Sequence, residues 1–323
     1  MSDKILLSIC ILTYNQRDDI ERLLKSIGPQ VTDEIEIVIR DDSDNDDTEI
    51  LVKYYAESFP VRYYRGHKEG IDKTIIFLIE NARGRFVWWM GDDDIVSGGI
   101  ASVINVINLK PKVGFIWANY RLVDGQRLAI DLPSDCFFES RDQLLQLGGA
   151  ALGFISSTIV IRDLALQGIE SSKKYIGSAF VNLYLTLYVI SHSRSYYYIR
   201  GAVVICHPTS SEEIKISVLK ENGKIDNWAF EVFGVNFSNI VREFSNYFSP
   251  KIIREVIKKC FGQTWRGMLV AYVGGWDTPK NKRIRMIKYF WIFPETWLAL
   301  FLFLIPLPIL KVLYRIYKFI FKN

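Results

Sequence analysis

GRFVWWMGDDDI, spanning Gly84 to Ile95, joins an apolar run of strand length to three consecutive carboxylates. Val87, Trp88, Trp89 and Met90 suit a protein interior. Asp92, Asp93 and Asp94 repel one another, and a carboxylate at the edge of a core loses hydration. A solvated acidic turn that caps a helix starting near Gly98 is one way to tolerate them. A site where a cation or hydrogen-bond donors meet the carboxylates is the other. The surrounding pattern favours the second.

Outward from this stretch, the first 100 residues alternate between strand and helix patterns. Leu6–Thr13 (LLSICILT), Ile35–Arg40, Val61–Arg65 and Arg85–Met90 are apolar runs of strand length. Between them, Ile20, Leu23, Leu24 and Ile27 recur at helical spacing within Arg17–Ile27. Asp46–Glu57 carries acids in its first turn, and Ile71–Asn81 completes the series. Such βαβα order predicts an α/β protein with a parallel sheet and helices on both faces. Ligands of open α/β sheets bind beyond the carboxyl ends of the strands. Strand one ends in TYNQ (Thr13–Gln16), strand two in RDDSDNDDT (Arg40–Thr48), and the fourth strand in GDDD, so three polar clusters converge on one rim. Adjacent aspartates there suit a hard divalent cation, Mg²⁺ or Mn²⁺, which takes oxygen ligands and shares them with substrate phosphates.

The segments Ser8–Ile27, Glu36–Tyr55 and Ala82–Ile95 resemble, in order and spacing, those of family 2 glycosyltransferases with the GT-A fold. That fold is a Rossmann-like, mixed and mostly parallel sheet flanked by helices. GFISSTIVIR (Gly153–Arg162) is similar to the abequosyltransferase-like O-antigen sugar transferases. The resemblance implies transfer of a sugar from a nucleoside-diphosphate donor, assisted by Mn²⁺ or Mg²⁺. It implies that Thr13, Tyr14, Asn15 and Asp41 lie beside the nucleotide. Asp92 and Asp94 match the DxD pair, with Asp94 and Asp92 toward the metal and Asp92 and Asp93 toward the nucleotide. Family members commonly take the acceptor's proton on an acid of an E-D motif downstream. Here Ser171–Ser211 contains no Asp or Glu, and Tyr175–Leu185 (YIGSAFVNLYL) stands uncharged in its place. A base must then come from Asp163, Glu170, Glu212 or Glu213, or from His192 or His207, whose reference pKa suits the task. A retaining reaction needs none. Arg62, Arg65, Lys68 and Lys73 flank the third strand; they could meet a diphosphate, but solvated surface charge is the favoured reading for each.

Beyond residue 110 the alternation loosens. Val113–Val123, Phe154–Ile161 and Tyr196–Cys206 read as strands and Tyr175–Ile190 as a buried helix. Ser210–Lys224 reads as a loop, and Asp226–Phe248 and Lys251–Val270 read as helices. A boundary near residue 210 separates a catalytic domain, 1–210, from a helical region, 211–323.

The chain has 323 residues, 49% of them hydrophobic, which suffices for a sizeable core. Cys10, Cys136, Cys206 and Cys260 are scattered without a CxxC pair, pointing to free thiols in a reducing compartment. MSDKILLSIC is too short in apolar residues for a signal peptide. Charge is uneven: from Lys251 onward there are 14 Lys/Arg against three acids, so with +4 overall the first 250 residues hold −7. That tail contains WLALFLFLIPLPIL (Trp297–Leu310), which is shorter than the ~20 residues a spanning helix needs and is broken by Pro306 and Pro308. KVLYRIYKFIFKN follows as a basic amphipathic pattern. Residues 289–323 therefore read as a membrane-associating extension meeting anionic lipid at the cytoplasmic face of a bacterial inner membrane, near a lipid-linked saccharide acceptor. Nucleic-acid binding is disfavoured, because the basic residues are interleaved with apolar ones. A nucleotidyltransferase would want a glycine-rich loop near the N-terminus, and Ser8–Gln16 has no glycine. A non-catalytic scaffold is the remaining alternative.

Overall fold

The computed structural model describes residues 5–121, 128–206, 230–273 and 280–321. They form two compact units: Met1–Thr209 with Glu243–Ser249, and Ser210–Arg242 with Pro250–Asn323.

The first unit is built on one sheet. Its strands are β1 (Leu7–Thr13), β2 (Ile35–Asp41), β3 (Val61–Arg65), β4 (Phe86–Gly91), β5 (Ile95–Val96), β6 (Phe115–Arg121), β7 (Cys136–Phe137), β8 (Thr158–Ile161) and β9 (Tyr196–Ile205). They lie in the order β3-β2-β1-β4-β8-β6-β9-β5, with β7 also paired to β9. The first four are mutually parallel. β8 is antiparallel to both β4 and β6, so β6 and its parallel partner β9 run in the same direction as β4. The carboxyl ends of β1, β2, β3, β4, β6 and β9 consequently share one rim.

Phe86, Val87, Trp88, Trp89 and Met90 are fully buried, as expected of a central strand covered on both faces. Ile20, Leu23, Leu24 and Ile27 are buried on α1 (Arg17–Ile27), the face their spacing predicted. The remaining helices of this unit are α2 (Asp47–Ala56), α3 (Ile71–Asn81), α4 (Ile100–Leu109), α5 (Arg141–Gly148), α6 (Arg162–Ser172) and α7 (Val181–His192). Two expectations change. The strand expected over Phe154–Ile161 is confined to β8, because Gly149–Gly153 and Ile155–Ser157 form 3₁₀ turns. The helix expected from Tyr175 begins only at Val181, after a loop in which Gly177 and Ala179 take left-handed backbone (φ 90° and 61°).

The second unit is helical. A π-helical stretch, Phe230–Asn236, leads into α8 (Phe237–Glu243), and α9 (Pro250–Val273), α10 (Lys280–Phe290), α11 (Pro294–Leu302) and α12 (Leu307–Phe321) follow. Phe261 stacks on Phe290 with ring centroids 4.1 Å apart, and Phe230 and Phe293 complete a buried aromatic core. The loop expected over Ser210–Lys224, and the first residues of the helix expected from Asp226, lie outside the described residues.

Candidate active site

The rim begins where β1 and β2 end side by side, with Thr13 in register with Asp41. The turns that follow are laced together. Asn15, at φ 55°, donates its backbone N–H to Ser43 Oγ (2.7 Å) and its side-chain amide to Asp44 Oδ2 (3.0 Å). Asp44 N–H returns a bond to Asn15 Oδ1 (2.9 Å), and the Tyr14 hydroxyl donates to Asp44 Oδ2 (2.6 Å). These donors, Tyr14 first, hold the Asp44 carboxyl below its ordinary range. The Lys68 ammonium lies 4.4 Å from the Tyr14 ring centre, a cation–π contact.

Asp41 is fully buried. Its Oδ1 accepts from Ser43 N–H (2.9 Å), and its Oδ2 accepts from the Tyr63 hydroxyl (2.6 Å) with Arg65 at 3.5 Å. Burial first, then the bond to Asp41, pushes the Tyr63 phenol up. Asp42 accepts from Arg40 Nε (2.7 Å) and from the Thr74 hydroxyl (2.9 Å). The acidic turn is thus a built polar layer.

Next to β1, the end of β4 carries the three aspartates. Gly91 donates its N–H to Ser156 Oγ (2.9 Å). A Cβ placed on Gly91 would stand 2.9 Å from Asp93 Oδ1 and 3.6 Å from Asp94 Oδ2, so the missing side chain leaves a notch into which both carboxylates fold. Burial pushes the Asp92 carboxyl up to about 7. The charges of Asp93 and Asp19 add to this, while the Thr13 hydroxyl and the Tyr14 main chain pull the other way. Arg22 of α1 steadies the turn, bonding Asp19 (2.6 Å) and the Asp93 carbonyl (3.4 Å). Asp94 is buried on the β6–β9 side. Burial, followed by Asp94 and Asp93, pushes the Cys206 thiol up to about 12. Burial, followed by Cys206 and Asp94, pushes the Tyr120 phenol up to about 12.

The sequence and the fold that build this rim have known counterparts. Residues 8–149 match the family model "Glycosyl transferase family 2". The chain carries a family 2 glycosyltransferase domain. It is 25% identical over 224 residues to abequosyltransferase RfbV of Salmonella typhimurium, which covers 62% of this chain and 66% of that protein. It is 28% identical over 106 residues to the GalNAc(5)-diNAcBac-PP-undecaprenol beta-1,3-glucosyltransferase of Campylobacter jejuni, covering 32% of this chain and 34% of that one. The chain therefore spans about two thirds of the first relative and about a third of the second. Its fold is similar to S. aureus TarS 1–349 in complex with UDP (TM-score 0.54, 14% identity, 85% of this chain and 94% of that one). It is also similar to the mannosyltransferase PcManGT from Pyrobaculum calidifontis in complex with GDP-Man and Mn²⁺ (TM-score 0.53, 11% identity, 98% and 87%).

Among the described residues, no three His, Cys, Asp or Glu side chains form a metal-holding group. What the rim offers is Asp93 and Asp94, whose carboxylates meet at the Gly91 notch, with Asp92 next to them on the Thr13 side. Such a set fits a hard cation held by one or two carboxylates with its other positions on substrate phosphate and water.

Thr13, Tyr14, Asn15, Asp41, Asp92, Asp93 and Asp94 all stand on one rim, as their strand-end positions imply. The base candidates fare differently. Asp163 is exposed at the start of α6, beyond Ile161, which pairs with Phe86 at the opposite edge of the sheet. That edge lies a full strand length from Asp92, so Asp163 is corrected to a surface residue of the far side. His192 closes α7 at the far edge too, stacked on Tyr188 and bonded to the Tyr247 hydroxyl (3.1 Å). Glu170 is exposed and paired with Lys173. His207, Glu212 and Glu213 lie outside the described residues. Arg62 also faces the far edge, bonded to Glu36 (3.1 Å). Sequence reasoning missed Ser156, Tyr120, Arg22 and Asp72, whose placement depends on strand order and helix packing rather than on any local pattern.

Proposed function

We propose that the glycosyltransferase moves a sugar from a nucleoside-diphosphate donor to a hydroxyl of a lipid-linked oligosaccharide in bacterial surface-polysaccharide synthesis. The observation that carries this reading is the convergence of Asp92–Asp94 with the Tyr14–Asn15–Asp44 shelf on one rim. The nucleoside would lie on that shelf, where acceptor-only carboxylates suit base N–H and ribose hydroxyl donors. Asp41 would hold Tyr63 and Arg65 against the nucleotide from beneath, with Thr13 and Asp92 flanking the ribose. Asp94, with Asp92, would hold Mn²⁺ or Mg²⁺, which when bound supplies charge stabilisation to the departing diphosphate. Arg65 and Lys68 are the cations nearest the shelf and would orient the phosphates.

A lipid-linked acceptor is supported by the name of the Campylobacter relative, whose substrate ends in PP-undecaprenol. It is supported also by the second unit. Trp297, Leu298 and Phe301 of α11, with Leu304 after it, are more than half exposed, as are Ile309 and Val312 of α12. In α12, Ile309 and Val312 neighbour Lys311, with Arg315 one turn on, which suits an anionic lipid surface at the cytoplasmic face.

Scanning fluorimetry with UDP, GDP, CDP and dTDP, each with and without Mn²⁺, tests the donor site. At least one nucleotide should raise the melting temperature, and more so with the cation. Asp94→Asn should keep the fold and lose cation-dependent turnover by roughly a hundredfold or more. No stabilisation by any of the four nucleotides, or full turnover in that variant, would remove the proposal.

A further inference from the structure

A carboxylate does stand where the uncharged segment Tyr175–Leu185 lacks one, but it comes from elsewhere in the chain. Asp72, the second residue of α3, is 3% exposed. Its Oδ2 accepts from Gly177 N–H (2.8 Å) and Ala179 N–H (2.9 Å), and its Oδ1 accepts from Val181 N–H (3.0 Å). One buried acid thus gathers three backbone donors from a loop more than 100 residues away. It stands at the amino ends of both α3 and α7.

The loop needs such an anchor. Ala179 sits at φ 61°, a left-handed backbone that a side chain disfavours, and Gly177 sits at φ 90°. The loop also lies at the catalytic rim. α3 leaves the rim after β3, and α7 leaves it for the far edge, where β9 begins. From the start of α7, Asn182 Nδ2 donates to the Gly153 carbonyl (2.8 Å). A Cβ on Gly153 would touch Phe180 at 2.8 Å, so the two segments pack without a gap. The segment at Gly153 in turn carries Phe154, whose ring centre is 4.4 Å from that of Tyr120. It also carries Ser156, which bonds Gly91 through its hydroxyl (2.9 Å) and Trp88 Nε1 through its carbonyl (2.8 Å). A continuous line of contacts therefore runs from Asp72 to the residue preceding Asp92.

We infer that Asp72 is a positioning residue that fixes loop 176–180 as the acceptor-side wall of the site, an inference resting on the glycosyl-transfer reading. The loop is tied through Asp72 to the start of α3 and through Asn182 and Phe180 to the Gly153 segment that leads into β8, whereas the Tyr14–Asn15–Asp44 shelf follows β1 and β2. Asp72 is not the base. Both of its oxygens are engaged by three backbone N–H groups and the residue is buried, which leaves no oxygen for an acceptor hydroxyl.

The test uses the full chain and separates acceptor from donor. Asp72→Asn keeps size but turns an amide toward the three N–H groups. Asn182→Ala leaves Asp72 intact and unhooks the loop from Gly153. Nucleotide affinity is measured calorimetrically with Mn²⁺ and the same four diphosphates. Transfer is measured with the donor that wild type turns over and a panel of alkyl mono- and disaccharide glycosides. Both variants should keep nucleotide affinity within about twofold, while acceptor KM rises roughly tenfold in Asp72→Asn and about threefold in Asn182→Ala. Nucleotide affinity falling in step with transfer, or an unchanged acceptor KM, overturns the inference. If Asp72→Asn does not fold, Asn182→Ala decides alone. Wild type that transfers nothing and binds no nucleotide would instead sink the glycosyl-transfer reading itself.

Discussion

Asp92 is the residue at which the role proposed for the rim and stability pull apart. Its carboxyl is raised to about 7 in the folded chain from the 3.8 of an unconstrained aspartate, chiefly by burial. A raised carboxyl contributes nothing below the unfolded value, where both states are protonated. As pH climbs from 3.8 to 7, the unfolded chain ionises and the folded one resists, so stability falls, and above 7 the loss is complete. The full shift would be about 4 kcal/mol, but this half-buried side chain is partly solvated, so roughly 1–2 kcal/mol is expected. Asp92→Asn should therefore raise the melting temperature of the metal-free protein by a few degrees at pH 8 and leave it unchanged near pH 3.5. Calorimetry at the two pH values checks this. An equal effect at both would mean that Asp92 is not strained by its surroundings. That Asp92 stands at the rim was legible in the sequence, because a carboxylate after an apolar strand leaves a parallel sheet at the carboxyl ends of its strands. The inward turn of Asp41 was not legible, since Tyr63 and Arg65 reach it from a different strand. Nor was Asp72, whose three donors lie beyond residue 176.

At the level of elements, the amino ends of β1 and β4 meet in a close seam at the edge of the sheet opposite the rim. Gly84 donates its N–H to Ser8 Oγ (2.8 Å), Ser8 donates to Glu36 Oε1 (2.6 Å), and Arg83 N–H meets the same oxygen (2.6 Å). A Cβ at Gly84 would stand 2.6 Å from the Ser8 backbone nitrogen, which has no freedom to retreat inside a sheet. Gly84→Ala should cost about 2–3 kcal/mol through forced separation of β1 and β4, read as a drop of several degrees in thermal unfolding. Wild-type stability in that variant would show that the seam has slack. The elements around this seam were read well from sequence. Arg17–Ile27 was bounded as found, and Asp46–Glu57 exceeds α2 by a residue at each end. Amphipathic helices and two-sided strands carry distinct periods there. Beyond β5 the signal fades for a physical reason. α7 is buried nearly all round, so its sequence has no polar face to mark a period or a start. β8 owes its short length to 3₁₀ turns held by Ser156 and Ser157, and its antiparallel direction follows from strand order alone.

For the whole molecule, the uneven charge and the apolar tail are one design if the second unit rests on a bilayer. No single described helix is long and apolar enough to cross a membrane. α11 and Leu307–Ile316 of α12 would suffice together but meet at a bend of 116°. A bent pair with its apolar side chains outward suits insertion into one leaflet, with Lys311 and Arg315 at headgroup level. Leu298 and Phe301 are exposed, so lysines there would not disturb the core. Each apolar side chain taken into lipid is worth roughly 1.5 kcal/mol or more, so the double change Leu298→Lys with Phe301→Lys should weaken vesicle binding at least about a hundredfold. Flotation with phosphatidylcholine vesicles, with and without about a third phosphatidylglycerol, measures it, and wild type should prefer the anionic vesicles. High salt should weaken wild-type binding without abolishing it, because the electrostatic part is screened and the apolar part is not. Nucleotide stabilisation of the first unit should be the same in both proteins. Undiminished flotation of the lysine variant would mean that these side chains face something other than lipid, and the case for a membrane-borne acceptor would then rest on the relatives alone.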